Sequence, residues 1–233
     1  MSAIRICIGV MIMKLYLIAN IITCICAFIS FFYGIAKFFK PKKAIYAQMI
    51  TLAAGCVAIG RLYQAVRLLT GGGITDEFQL GLFGVIGSLL FFFSANFGLM
   101  DSLADDGSKQ YVKYRIIPVA APAAAIALYL IFVLLADMPT ITTITGAVIT
   151  LFVVLSSYYN LKHLIFPDVD YGVIKCLKMY NLLTLIYSFI CIAEIIVIGK
   201  NNEIAYLVTA VIIGVLILII VPSVERGIKK WTI

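Results

Sequence analysis

Charge is what this sequence has least of. Asp, Glu, Lys and Arg make up 12% of its 233 residues, while 64% are hydrophobic. Soluble domains carry about 25% charged residues. No stretch between the apolar runs is long enough for a soluble domain, so residues 1–233 read as a single transmembrane domain. Histidine occurs once, as His163. That excludes bis-histidine haem ligation within the chain and any H-E-x-x-H metal site. The six cysteines, Cys7, Cys24, Cys26, Cys56, Cys176 and Cys191, include no C-x-x-C pair. Neither a disulfide framework nor a zinc site follows. There is no G-x-S-x-G elbow, and Gly71-Gly72-Gly73 lacks the Lys-Ser/Thr of a phosphate-binding loop. A hydrolase dyad would need the one histidine, which falls at a membrane boundary. No catalytic residue, metal site or cofactor is expected, and an enzyme is the less favoured reading. The net charge of +7 is explained by cytoplasmic loops of a membrane protein, so no nucleic-acid partner is expected.

What is present is a series of long apolar runs. About 20 such residues cross a bilayer core as a helix. Seven runs qualify, at roughly 15–37, 45–69, 78–103, 115–136, 140–164, 173–198 and 203–223. The expected fold is therefore an all-α polytopic membrane protein with seven transmembrane helices in a lipid bilayer. The first run exceeds the roughly 7–15 apolar residues of a signal peptide, and Met11 and Met13 are alternative starts to Met1. Lys37, Lys40, Pro41, Lys42 and Lys43 stop it, and Gly71–Gly73 breaks the chain after the second run. Pro118 and Pro122 fall in the fourth, where neighbouring helices can satisfy the freed carbonyls. Gly81, Gly84 and Ser88 form a small-residue stripe on the third, suited to close helix packing, with a lining that admits a ligand as the alternative.

Seven spans put the termini on opposite sides. Of the 18 Lys and Arg, 13 fall on one side: Lys37, Lys40, Lys42, Lys43, Lys109, Lys113, Arg115, Lys162, Lys175, Lys178, Arg226, Lys229 and Lys230. Arg5, Lys14, Arg61, Arg67 and Lys200 are the remainder. The positive-inside bias places the N-terminus outside and the C-terminus in the cytoplasm, in the plasma (cytoplasmic) membrane. A faint repeat aligns Ser30-Phe31-Phe32-Tyr33 and Pro41 with Ser156-Ser157-Tyr158-Tyr159 and Pro167, at a constant offset of 126. It would be parallel, with three helices, a linker helix and three more.

Three groups stand out as candidate sites. Arg61 lies within the second run, and an arginine at membrane depth costs at least about 2.5–3.5 kcal/mol on insertion scales unless it is partnered. Glu194, in the sixth run, is the only acid well inside any run and falls at a similar depth, outward of the middle. Gln64, Arg67, Asn20, Thr23, Tyr187, Ser188, Tyr206 and Thr209 would complete a polar, ligand-binding cavity open to the outside. The bland alternative is an ion pair that only sets helix register. The second group is Ser94, Asn96, Asp101, Asp105 and Asp106 at the inner end of the third run. Acids there oppose the helix dipole by about 0.3–1 kcal/mol each, so Lys109, Lys113 and Arg115 are expected to compensate. This cluster reads as a charge-balanced loop or as a cytoplasmic metal, head-group or partner site. The third group, Tyr158, Tyr159, Asn160, Tyr180 and Asn181, reads as an interfacial aromatic belt, with an inner gate or a lipid-binding role as the alternative.

The seven-helix, N-outside plan resembles in topology alone that of microbial rhodopsins and of the SWEET sugar transporters. The rhodopsin resemblance implies a retinal-binding lysine in the last helix, and none lies between Lys200 and Lys229. The SWEET resemblance implies prolines within paired helices, and runs one, two, five and six have none in their interiors. No family assignment follows. The leading function class is a transporter or channel for a small polar or anionic solute bound near Arg61 and Glu194. The alternatives are a seven-helix sensor signalling through a separate cytoplasmic protein partner, and an intramembrane lipid-modifying enzyme using Asp101 and Asp105; a homo-oligomer is a further partner that these readings admit.

Overall fold

The computed structural model describes residues 2–41, 43–71, 80–101, 105–135, 138–167 and 173–231. Among them the regular elements are all helical. Helix α1 spans Ser2–Phe38, α2 Ile45–Leu69 and α3 Leu82–Ser94, which continues as a π-helical segment, Ala95–Met100. Helix α4 (Val112–Ile116) passes through a 3-10 turn, Ile117–Val119, into α5 (Ala120–Leu135). Helices α6 (Thr140–Ile165), α7 (Val173–Gly199) and α8 (Glu203–Trp231) complete the chain.

Six of these stretches are long and apolar enough to cross a membrane, and Leu82–Gly98 is a shorter apolar helix. The second run, 45–69, has the expected bounds. The third is not uniform, because the π segment interrupts its last turns. The last runs past 223 to Trp231 without stopping at Pro222. Beyond that proline Glu225 meets Lys229 at 3.0 Å, one turn on, and Lys37 of α1 at 3.5 Å, and it also bonds the Tyr33 hydroxyl. The break at Gly72 and Gly73, and the expected ends at 78, 103 and 136, lie outside the described residues.

Six helices close into a ring: α1 packs on α2, α2 on α3, α3 on α6, α6 on α7, α7 on α8 and α8 on α1. Helix α5 packs on the outer side of α6. Burial follows this order: the apolar window of α2 is 61% buried, that of the α4–α5 stretch only 17%. The ring also decides which apolar side chains face out. Leu134, Leu135 and Ile59 are 81%, 79% and 67% exposed, and a continuous apolar surface of this kind belongs against hydrocarbon rather than water.

Helices α2 and α3 meet glycine on glycine. A Cβ on Gly60 would lie 2.4 Å from the Gly81 carbonyl oxygen and 2.9 Å from Gly84 Cα; one on Gly84 would lie 2.4 Å from the Cys56 carbonyl oxygen. The small-residue stripe expected of the third run thus carries α3 onto the backbone of α2. Where the 3-10 turn breaks the α4–α5 ladder, the Tyr158 hydroxyl of α6 donates to the Arg115 carbonyl at 3.1 Å.

Candidate functional site

Two buried polar layers sit inside the ring. The first is built around Arg61, only 1% exposed, on the most buried helix. Its Nη2 donates to Glu194 Oε2 at 2.6 Å, across from α2 to α7. Its Nη1 donates to the Tyr206 hydroxyl at 3.0 Å, Gln64 Oε1 at 3.3 Å and Asn20 Oδ1 at 3.4 Å. The Tyr206 hydroxyl in turn donates to Asn20 Oδ1 at 3.1 Å, and Asn20 Nδ2 donates to the Tyr16 carbonyl at 2.9 Å. The layer therefore joins α1, α2, α7 and α8. A buried ion pair needs such added hydrogen bonds to offset the loss of hydration on both ions. The offset is incomplete. Arg61 Nε and Glu194 Oε1 are buried with no hydrogen-bond partner among the described residues.

Not every residue expected around Arg61 converges on it. The Tyr187 hydroxyl meets Ser88 Oγ at 2.6 Å. Ser88 already donates to the Val85 carbonyl at 2.7 Å, so Tyr187 is the donor. Ser188 donates to the Thr184 carbonyl, and Thr209 to the Ala205 and Tyr206 carbonyls. Thr23 ties α1 to α8 through the Ala210 carbonyl at 2.8 Å. Arg67 lies six residues beyond Arg61 and is half-buried. Two surface grooves lie apart from the pair. One of about 440 Å³ is lined by Met179, Pro222 and Arg226; one of about 360 Å³ is lined by Cys56, Tyr63 and Phe83.

The second layer joins the end of α3 to the end of α6. Lys162 Nζ lies 2.6 Å from Asp101 Oδ1 and 2.8 Å from Asp105 Oδ2, and Lys162 is 4% exposed. Arg115 grips Asp105 with Nε at 2.7 Å and Nη2 at 2.5 Å. These hydrogen bonds from Arg115, then those from Lys162, hold the Asp105 carboxyl far below the usual carboxylate range despite some opposing burial. His163, 1% exposed, has Nε2 3.2 Å from Asp101 Oδ1 and Nδ1 3.4 Å from Asn96 Oδ1. Asn96 Nδ2 donates to Asn160 Oδ1 at 2.6 Å, and Thr184 Oγ1 on α7 lies 2.8 Å from the same oxygen. Asp106 is apart from this set. It is exposed and accepts from the Ser108 backbone N–H at 2.8 Å, which pulls its carboxyl down. Ser94, the residue immediately before the π segment, is half-buried.

Three residues assigned to an interfacial belt are instead core. Asn160, Tyr180 and Asn181 are fully buried; Tyr158 and Tyr159 are half-buried, with Tyr159 edge-on to Phe93 and Phe97. Sequence reading missed Lys162 and His163 as partners of the acids, having counted Lys162 among loop cations. A signal was available: two acids four residues apart and an adjacent basic pair close two runs that end on the same side.

The layers are connected along α7. Tyr180, Asn181, Thr184, Tyr187, Ser188, Cys191 and Glu194 share one face, and none is more than 1% exposed. That stripe is about 21 Å long at 1.5 Å per residue. Tyr180 Oη and Asn181 Oδ1 on it are buried without a partner among the described residues. No protein family, curated protein or solved structure matches the chain.

Proposed function

We propose that this chain is an integral-membrane carrier for a small polar solute, with seven spans, an external N-terminus and a cytoplasmic C-terminus. The observation that carries the reading is the buried polar face of α7 from Tyr180 to Glu194. Polar and ionisable groups inside a membrane bundle are costly, and they mark solute and ion paths. Three unpartnered polar atoms along it, Tyr180 Oη, Asn181 Oδ1 and Glu194 Oε1, and Arg61 Nε across from it on α2, are the groups a polar solute would satisfy. Leaving each unsatisfied costs roughly 1–3 kcal/mol. Arg61 and Glu194 are each other's counter-ions at rest. A simple anion would have to displace Glu194, so the pairing favours an uncharged polar or zwitterionic solute. The pair is sealed, at 2% and 1% side-chain exposure, so solute entry requires the outer ends of α2 and α7 to separate.

The same sealing supports a second reading, a seven-helix sensor in which the pair is a latch between α2 and α7. A lipid-modifying enzyme gains no support, because Lys162 and Arg115 occupy Asp101 and Asp105 and leave neither as a free base. The test is stopped-flow light scattering of proteoliposomes under gradients of glycine, urea and sorbitol. A carrier speeds volume recovery for at least one of them over empty vesicles, and Glu194→Gln abolishes the difference. Recovery no faster than empty vesicles for all three, with folded protein present, overturns the carrier and leaves the latch.

A further inference from the structure

The one histidine of the chain sits in a ring of acceptors. His163 Nε2 faces the Asp101 carboxylate at 3.2 Å, and Nδ1 faces Asn96 Oδ1 at 3.4 Å. A neutral imidazole has one N–H, so it can donate to only one of the two. With the amides oriented this way the ring needs both hydrogens.

Amide orientation is itself set by the hydrogen-bond network, and here it can be reversed as a unit. Asn96 Nδ2 donates to Asn160 Oδ1 at 2.6 Å, and Asn160 Nδ2 donates to Ser156 Oγ at 3.1 Å. Turning both amides over presents Asn96 Nδ2 to His163 Nδ1 and Asn160 Nδ2 to Asn96 Oδ1. Asn160 Oδ1 then accepts from the Ser156 hydroxyl. Thr184, whose hydroxyl lies 2.8 Å from Asn160 Oδ1, becomes an acceptor there and keeps its 3.0 Å bond to the Tyr180 carbonyl. Every contact survives with its direction reversed, and His163 needs one hydrogen only.

We propose that His163 is a reversible proton-binding site whose occupancy is relayed through the Asn96–Asn160 amide pair to Thr184 on α7. This makes a proton the coupling ion of the carrier, and that last step rests on the carrier reading. The proton balance is simple. The occupied ring carries one hydrogen on each nitrogen. The emptied ring carries one hydrogen, and the proton lost at equilibrium is the one on Nδ1; it ends on water, which reaches the site beside Asp101, whose side chain is 21% exposed. The remaining one settles on Nε2 against Asp101, and Nδ1 becomes an acceptor.

The surroundings favour reversibility over a fixed charge. Among the described residues, Asp101 and Asp105 beyond α3 already balance Lys162 of α6 and Arg115 of α4, so within that set a proton on His163 is the charge in excess. Tyr159 lies one turn back on α6, with ring centroids 6.3 Å apart. On α7, Tyr180 is one turn before Thr184, and on α5 Tyr129 is engaged far off with the Thr143 carbonyl. Asn96 lies in the π-helical segment Ala95–Met100. Such segments are rare and occur frequently at functional sites.

The unique histidine makes the test direct. The full chain, labelled with ¹⁵N-histidine and ¹⁵N-asparagine, is placed in phospholipid nanodiscs and followed by NMR, with His163→Gln as the blank. Lowering the pH stepwise should convert one bare and one protonated ring nitrogen into two protonated ones. The side-chain amide signals of Asn96 and Asn160 should shift with the same midpoint. Ring signals that do not change, a bare nitrogen assigned to Nε2, or amides that stay put overturn the site. For coupling, a pH dye inside the proteoliposomes should report proton movement during solute flux, lost in His163→Gln while solute binding is retained. Flux without proton movement overturns the coupling. Absence of any flux overturns the carrier reading instead, and the NMR titration still decides the proton site.

Discussion

Arg61 on α2 and Glu194 on α7 meet at 2.6 Å between Nη2 and Oε2, with both side chains at most 2% exposed. The contact spans two helices that are not neighbours in the ring, so it works as a cross-brace. Removing one partner strands the other charge, at roughly 3–5 kcal/mol for a broken buried pair. Arg61→Ala and Glu194→Ala should each lower the thermal unfolding midpoint in detergent, and the double variant should cost less than the sum. Strictly additive losses would show that the two charges do not stabilise each other.

The α2–α3 crossing should be the most sensitive to added volume. Both the Gly60 and Gly84 positions meet backbone, with ideal Cβ distances of 2.4 Å, and backbone cannot swing aside as a side chain can. Gly60→Ala and Gly84→Ala should each cost about 1–3 kcal/mol or more by overpacking. Gly98→Ala, with nothing within 4 Å, should stay within about 0.5 kcal/mol of wild type. Thermal unfolding of the three variants checks this, and equal stability of all three would refute the crossing.

Orientation is tested by accessibility. The proposed orientation puts the end that carries Lys37, Lys109, Arg115, Lys162 and Lys229 in the cytoplasm, on the bias of these charges toward one side. A cysteine at Lys229 in a background lacking the native cysteines should resist an impermeant maleimide in intact cells, and react after permeabilisation. Labelling before permeabilisation would invert the topology.

Much of this architecture is legible in the chain, for physical reasons that also mark where reading stops. A helix that must cross hydrocarbon needs a long apolar run, so Ile45–Leu69 could be bounded from composition. One deep base and one deep acid, Arg61 and Glu194, are forced together by the cost of either alone. Partners closer to the helix ends are not forced in this way. Lys162 looks like any loop cation, and only the packing of α6 on α3 carries it and His163 onto Asp101. Helical periodicity places Tyr187 and Ser188 on the inner face of α7 but does not choose their partners, which is why they turn to Ser88 and Thr184. The π segment at Ala95–Met100 leaves no mark in an apolar sequence, and it lies in the turns that carry Asn96.

Acid should unlock the second layer through Asp105. Its carboxyl is held well below the ordinary carboxylate range, first by hydrogen bonds from Arg115 and then by those from Lys162. For a group whose folded value is depressed, the stabilisation is fully present above the unfolded value, about 3.9 for an aspartate. It is lost as the pH falls from there through the folded value. Wild type should therefore lose thermal stability on acidification below about pH 4. Asp105→Asn removes that contribution. It should be the less stable protein near neutrality, where Lys162 keeps only Asp101, and its unfolding midpoint should fall less on acidification. The two midpoint-versus-pH curves should converge in acid. Parallel curves across the same range would mean that Arg115 and Lys162 do not bind the Asp105 carboxylate more tightly in the folded protein than in the unfolded chain.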